Sequence, residues 1–116
     1  MTLDPTVTNA DHYAVVYEND RVRVLEYTDQ PGDKTTPHEH PDSVLIALST
    51  FDRRMYSMDA EPHDVRLTAG KVGWLPAQQH YAQNIGSTDS RAIFVELKGG
   101  SSVAGEALGP VGPVVG

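Results

Sequence analysis

Short strand-like runs, separated by turn signals, fill this sequence and constrain its fold more than any other feature. The runs recur at a spacing of about ten residues, as they do in sandwiches and barrels. Turn-forming pairs such as Asn19-Asp20 and Pro31-Gly32 stand between them. No stretch keeps the i, i+3, i+4, i+7 spacing of apolar residues that indicates a helix. The sequence therefore predicts an antiparallel sandwich or barrel of about eight or nine strands.

The same pattern places the individual strands. Residues 13–18 and 22–28 are β-rich runs on either side of a turn, so we expect them to form a hairpin. The segment 44–48 is apolar throughout, which is typical of a strand covered on both faces. An extended segment is predicted at residues 35–40, and further strands at 54–58, 64–67, 72–75, 80–84 and 91–97.

Composition limits the classes of function that need to be considered. The chain has 116 residues and no cysteine, which excludes disulfides, thiolate nucleophiles and iron–sulfur clusters. There are 9 Lys and Arg residues against 16 Asp and Glu, giving a net charge of −7 without any basic cluster. We therefore expect neither nucleic acid nor a membrane surface as a partner. No signal-peptide pattern opens the sequence, so we expect a cytoplasmic protein.

The predicted organisation is one domain, residues 11–98, followed by a tail. The tail, residues 99–116, is rich in Gly, Val and Pro and shows no apolar period. This composition is typical of a terminus that builds no core of its own. We assign the tail no chemistry.

Two histidines stand two positions apart, at His38 and His40. In a strand, residues with this spacing point to the same face, about 6–7 Å apart along the chain. Two imidazoles on one face can bind one metal ion if a third ligand arrives from another strand. The pair by itself is a short motif that also arises by chance, so the flanking residues decide whether it indicates a metal site.

Each histidine segment is preceded by a glycine. The first segment runs Gly32-Asp-Lys-Thr-Thr-Pro-His38-Glu-His40, and the second runs Gly70-Lys-Val-Gly-Trp-Leu-Pro76-Ala-Gln-Gln-His80. Together they resemble the two motifs of the cupin superfamily, and most of all short single-domain cupins with a Pro-Gly-Asp-Lys-Thr and His-x-His-Pro-Asp signature. The resemblance covers residues 13–98. It implies an all-β fold, the antiparallel double-stranded β-helix or jelly-roll barrel, with metal ligands at His38, His40 and His80.

The chain departs from the common cupin pattern at two places. Many cupins carry a glutamate ligand three or four residues after the second histidine, where this chain has Val44 and Leu45. Gln78 stands where a glycine is usual in the second motif. A three-histidine site without the glutamate resembles that of iron(II) dioxygenases that cleave diketones, gentisate-type aromatics or small thiols. The sequence identifies no fourth protein ligand.

The resemblance implies one divalent transition metal as the cofactor and a small molecule as the substrate. Three neutral imidazoles with positions left for water or substrate are typical of a catalytic site. Fe²⁺ is favoured, with Zn²⁺, Ni²⁺, Mn²⁺ and Cu²⁺ as alternatives, because imidazole binds all of them. The leading hypothesis is a dioxygenase-type enzyme acting on a small organic acid or carbonyl compound. The alternatives are a redox-neutral lyase, isomerase or cyclase, and a non-catalytic ligand-binding or sensing protein.

Three further residues are candidates for catalysis. Glu26 and Glu96 lie within apolar-rich strands, where a buried carboxylate would be placed to act as a general base. Tyr56 follows the first motif and is a candidate hydrogen-bond donor to a bound oxygen. Since small cupins commonly pair, the resemblance also implies a homodimer, and the exposed edge strands of a sandwich give a physical reason for it.

Overall fold

The computed structural model describes residues 2–99, and antiparallel strands make up just over half of these residues. A four-residue helix, α1 (Pro5–Thr8), precedes them, with Asp4 capping its N-terminus and Pro5 in its first turn. The strands are β1 (Tyr13–Glu18), β2 (Val22–Asp29), β3 (His38–His40), β4 (Ser43–Ala47), β5 (Phe51–Tyr56), β6 (His63–Leu67), β7 (Val72–Leu75), β8 (Gln78–Asn84) and β9 (Ser90–Leu97).

The strands form two sheets around one core. One sheet has the order β1-β2-β9-β4-β7, and the other has the order β3-β8-β5-β6. All of these neighbours pair antiparallel. Inward-facing side chains of both sheets make the core, which includes Leu25, Tyr27, Phe51, Leu75 and Phe94. The predicted all-β, antiparallel double-stranded β-helix is confirmed.

The predicted strands match the observed ones closely; β8 begins two residues early, at Gln78, and there are three further differences. β5 begins at Phe51, three residues earlier than expected, and Met58 lies beyond its end with its side chain 91% exposed. β4 alternates between buried and half-buried residues, so it is fully covered on one face and not on both. Helix α1 was not predicted, because a single capped turn is too short to show an apolar period.

The backbone conformation explains why glycine stands at two positions of the motifs. Gly32 has φ 89° and Gly70 has φ 88°, both in the left-handed region that side chains with a Cβ rarely adopt. Each glycine therefore permits the turn that leads into a histidine-bearing segment.

The strands span Tyr13 to Leu97, within the domain predicted from the sequence. Residues 100–116, which are most of the predicted tail, lie outside the described residues, as does Met1. Between residues 2 and 99, no helix has the length and apolar character needed to cross a membrane.

Candidate metal centre

The three histidines meet on the inner face of the four-stranded sheet. β3 and β8 pair so that His38 lies directly opposite His80, and His40 lies opposite Gln78. One ring nitrogen from each histidine lies within 4.8 Å of the others, and all three side chains are buried. The period-two geometry of a strand explains this arrangement, because residues 38, 40 and 80 all point inward. The structure thus brings together the three ligands that the resemblance implied.

Each imidazole is oriented by a hydrogen bond at its Nδ1 atom. His38 Nδ1 lies 2.7 Å from the Thr36 carbonyl oxygen, and His80 Nδ1 lies 2.7 Å from Gln78 Oε1. His40 Nδ1 lies 3.1 Å from Glu96 Oε2. Because all three partners are acceptors, each Nδ1 must carry the proton and donate it, which leaves each Nε2 unprotonated with its lone pair. Metal-binding histidines in proteins are held in this way.

Burial keeps the imidazoles uncharged. Desolvation lowers the pKa of His38 to about 4, aided by the positive charge of Arg53. Desolvation also places the pKa values of His40 and His80 well below the ordinary value, and the neighbouring histidines reinforce the effect. Neutral imidazole is the form that binds metals. The donor set therefore fits a divalent transition metal of the kind that nitrogen ligands favour.

Tyr13 places a hydroxyl group at this cluster, and sequence analysis missed it. Its hydroxyl oxygen lies 3.3 Å from His38 Nε2 and 3.3 Å from His40 Nε2. Burial raises the pKa of the phenol, so the hydroxyl keeps its proton and can donate it. Tyr13 is the first residue of β1, whose other residues are exposed. No local pattern distinguished it from an ordinary edge-strand aromatic residue.

Glu96 holds the His40 ring in place and is itself paired with an arginine. Its Oε1 accepts a hydrogen bond of 2.8 Å from Arg23 Nε, while its Oε2 faces His40. Arg23 in turn makes two hydrogen bonds, of 2.8 and 3.1 Å, to the carboxylate of Asp4. Desolvation raises the pKa of Glu96, and Arg23 partly offsets that effect. A chain of alternating charges thus links the N-terminal segment to the histidine cluster.

The structure does not bring the other two catalytic candidates to the cluster. Glu26 lies on the outer face of its sheet and pairs with Arg91 at 3.1 Å. Tyr56 lies on the outer face of the other sheet, where its ring stacks on Tyr81 at 4.9 Å and Lys34 Nζ lies 5.1 Å from its centroid. Strand alternation explains both positions, since Glu26 lies between the inward-facing Leu25 and Tyr27, and Tyr56 follows the inward-facing Met55.

The N-terminal segment also supports His38. Asn9 Nδ2 lies 3.2 Å from the Thr36 carbonyl oxygen and 3.4 Å from His38 Nδ1. Asn9 Oδ1 accepts a hydrogen bond of 2.8 Å from Thr36 N. The loop that carries the first histidine is therefore fixed by a side chain from the turn after α1. This link joins residues 27 or more positions apart, so sequence patterns could not reveal it.

A narrow cavity of about 20 Å³ extends from the cluster into the barrel. Its polar lining comprises Tyr13, Tyr27, Arg53 and His80. The remaining lining is apolar: Leu45, Phe51, Met55, Val65, Leu67, Leu75, Ala92 and Phe94. Leu45 stands at one of the two positions where many cupins carry a glutamate, so this side of the site offers no further ligand.

Comparison with known proteins identifies the fold. No protein-family model matches the sequence, and no curated protein matches it. Among solved structures, a cupin domain from Bordetella pertussis Tohama I superposes with a TM-score of 0.68 at 26% identity, covering 74% of this chain and 91% of that one. A double-stranded β-helix protein from Klebsiella pneumoniae gives a TM-score of 0.59 at 24% identity, covering 83% and 81% of the two chains.

A third similar structure is a cupin family protein from Methanocaldococcus jannaschii. Its TM-score is 0.60 at 18% identity, and the match covers 73% of this chain and 77% of that one. These structures share the two-sheet architecture described above. The chain is therefore a cupin, as the spacing of its histidine motifs indicated, and it carries a buried group of three histidines that can hold a metal ion.

Proposed function

We propose that this protein is a small metal-dependent enzyme of the dioxygenase type, using Fe²⁺ and acting on a small organic acid or carbonyl compound. The observation that carries this proposal is the set of three neutral imidazoles, each fixed through its Nδ1 and each left with an unprotonated Nε2. Leu45, in place of a glutamate ligand, leaves positions for both substrate and O₂. Such open sites are typical of catalytic metal centres.

The protein's own residues would hold and shield the reacting molecules. His38, His40 and His80 would hold the ion, and a bound Fe²⁺ would supply the activation of O₂. The Tyr13 hydroxyl, 3.3 Å from two of the ligand nitrogens, would donate a hydrogen bond to a substrate oxygen at the same place. Apolar side chains around the cavity would exclude bulk water, which strengthens these polar interactions.

The metal content of the purified protein tests the proposal. The wild type and a His38→Ala variant would be purified anaerobically, without a metal-affinity tag, and measured by plasma mass spectrometry. We expect close to one iron per wild-type chain and little in the variant. Oxygen consumption would then be followed with diketones and small organic acids. Stoichiometric zinc or nickel in place of iron would contradict the dioxygenase proposal, and an absence of any metal would contradict the site.

Tyr13 favours a second candidate, a redox-neutral lyase or isomerase with a Zn²⁺ ion. Such an enzyme needs a proton donor or acceptor beside the metal, and Tyr13 occupies that place where Glu26 does not. A Tyr13→Phe variant would keep its metal and its fold but lose turnover if this mechanism operates. The variant would retain turnover if the hydroxyl is dispensable, and oxygen-dependent turnover in the wild type would contradict this candidate.

We also propose a homodimer in the cytoplasm without nucleic-acid or membrane partners. The exposed apolar residues of edge strand β1 support the dimer, since Val15, Val16 and Tyr17 are 46%, 55% and 57% exposed. Sedimentation velocity at micromolar concentration tests this proposal. We expect a single dimeric species, and a monomer at all concentrations would contradict it.

A further inference from the structure

An arginine lies inside the barrel, on the same wall as the histidines. Phe51, Arg53 and Met55 alternate along β5 and face inward, while Arg54 faces outward. The side chain of Arg53 is 9% exposed and lines the cavity that also reaches His80 and Tyr13. Burying a guanidinium in largely apolar surroundings is costly unless an anion compensates it.

The nearest carboxylate balances this charge without making a close, two-bond pairing with the guanidinium, which also contacts the Tyr27 side chain. Arg53 Nη1 lies 3.6 Å from Asp29 Oδ2, beyond hydrogen-bond distance, and the guanidinium carbon lies 4.5 Å from the centre of the Tyr27 ring. Asp29 is engaged by other donors: the Tyr27 hydroxyl at Oδ2, and Asn84 Nδ2 at 2.9 Å and Ser90 N at 3.2 Å, both at Oδ1. Neither contact of Arg53 is the two-bond, fork-like pairing that a carboxylate makes with arginine.

The charge balance of the interior favours an anionic ligand. The three imidazoles are neutral, Glu96 is paired with Arg23, and Asp29 offsets Arg53. A divalent ion on the histidines would add two positive charges in a closed space, close to the guanidinium. In such surroundings the ion dominates the local field and attracts negative charge.

We propose that Arg53 binds the carboxylate of a small organic acid inside the barrel, with the other end of that acid directed towards the histidines. This inference rests on the proposed function for the presence of the metal, and it names the substrate class and the residue that recognises it. The cavity of about 20 Å³ has room for one or two water-sized groups, since a single water needs roughly 10–15 Å³ by the same measure, so without side-chain movement it takes the carboxylate group itself and little more. Met55, a flexible side chain in the lining, gives room for slightly larger acids.

Isothermal titration calorimetry tests the proposal with acetate and oxalate as probes. The protein would be reconstituted with Zn²⁺, which does not react with O₂, and a second sample would be stripped with chelator. Acetamide, which matches acetate in shape but is neutral, serves as the comparison ligand. We expect oxalate and acetate to bind the zinc form, to bind the stripped form more weakly, and acetamide to bind neither.

Arg53→Gln and Arg54→Gln form a matched pair of variants. Arg54 is the next residue on the strand, and it pairs on the outer surface with Asp64 at 2.8 Å. We expect Arg53→Gln to weaken carboxylate binding roughly 10- to 100-fold, the effect of losing charge-assisted hydrogen bonds. Arg54→Gln should leave binding unchanged. Since Arg53→Gln leaves Asp29 without its cation, an Arg53→Gln/Asp29→Asn double variant keeps the interior charge balanced and is measured alongside.

Three results would overturn the inference. The first is carboxylate binding of equal strength in the wild type and in folded Arg53→Gln or the double variant. The second is an absence of carboxylate binding by the wild type in both its zinc and stripped forms. The third is acetamide or chloride binding as tightly as acetate. A protein that takes up no metal would contradict the proposed function instead, while binding of carboxylates by its stripped form would still decide the role of Arg53.

Discussion

The two faces of the five-stranded sheet give similar glutamates opposite surroundings. Glu26 and Glu96 lie on adjacent strands, β2 and β9, in similarly apolar sequence. The outer face leaves the Glu26 side chain 34% exposed beside Arg91, whereas the inner face leaves the Glu96 side chain 3% exposed between Arg23 and His40. One carboxylate forms a surface ion pair, and the other holds a histidine of the metal centre.

This comparison shows that strand register, more than residue type, assigns the role. On β2, the inward positions belong to Leu25 and Tyr27, so Glu26 between them faces out. On β9, the inward positions belong to Ala92, Phe94 and Glu96. Removing a carboxylate from each face should therefore have unequal effects, and the following measurements are ordered from the largest expected effect to the smallest.

Stability should separate the two glutamates most clearly. Glu96→Ala leaves Arg23 Nε and the Nδ1 proton of His40 without their acceptor, and breaking a buried ion pair costs about 3 kcal/mol or more. Glu26→Ala removes an exposed pair and should cost less than about 1 kcal/mol. Urea unfolding of both variants and the wild type measures the difference. Equal losses in the two variants would show that the faces do not differ as described.

The buried histidines should also make the free energy of unfolding depend on pH. The pKa of His38 is about 4 in the folded protein against an ordinary value of 6.5, so the unfolded chain binds more protons between these values. Stability of the metal-free protein should therefore fall as the pH drops from about 6.5 to 4, by about 3 kcal/mol from His38 alone.

Unfolding of chelator-stripped protein across this pH range measures the effect. His38→Gln should make the slope shallower, with the remainder due to His40 and His80, whereas His63→Gln should leave the profile unchanged, because His63 is exposed on β6. A wild-type profile without slope between pH 4 and 6.5 would contradict the burial of neutral imidazoles.

Metal affinity should distinguish the glutamates in a third way. Glu96→Gln keeps an oxygen acceptor for His40 but loses the negative charge, and losing such a supporting partner typically weakens metal binding about 10- to 100-fold. Glu26→Gln should bind metal as the wild type does. Competition with a chromophoric chelator gives both affinities. An unchanged affinity in Glu96→Gln would mean that Glu96 supports the fold only.

The smallest expected effect on stability within the charged series Asp4–Arg23–Glu96 is at Asp4, its outermost residue. Arg23 lowers the pKa of Asp4 to about 2, and the Asp4 side chain is 33% exposed. Asp4→Asn should therefore cost only about 1 kcal/mol of stability at neutral pH. Asp64→Asn, at the exposed pair with Arg54, should change stability less than Asp4→Asn does. Urea unfolding at pH 7 compares them, and a larger loss in Asp64→Asn would reverse the expected order.

The strands and the three histidines were predictable because both depend on local spacing. Turn residues bound the strands, and a His-x-His pair in a strand must share a face. The two motif glycines, Gly32 and Gly70, supported the prediction of the histidine site, and both adopt the left-handed conformation in the structure.

The surroundings of the histidines were not predictable from local spacing. On β9, Ile93, Val95 and Leu97 alternate with the inward residues, so the apolar pattern alone would have turned Glu96 outward. Tyr13 and Asn9 reach the cluster through packing between distant segments. Arg53 gave a signal that could have been used: it stands between Phe51 and Met55 in the inward register, but the strand was predicted to begin one residue after it.

The brevity of β3 has a consequence for how the site exchanges its ion. Two of the three ligand histidines lie on this three-residue strand, which is held by β8 on one side and by the hydrogen bond from Glu39 N to the Leu3 carbonyl oxygen on the other. His80 stays on the longer β8. Fraying of the N-terminus would release two ligands together, so we expect the rate of ion exchange to follow local unfolding at this edge, as measured by hydrogen exchange at residues 38–40.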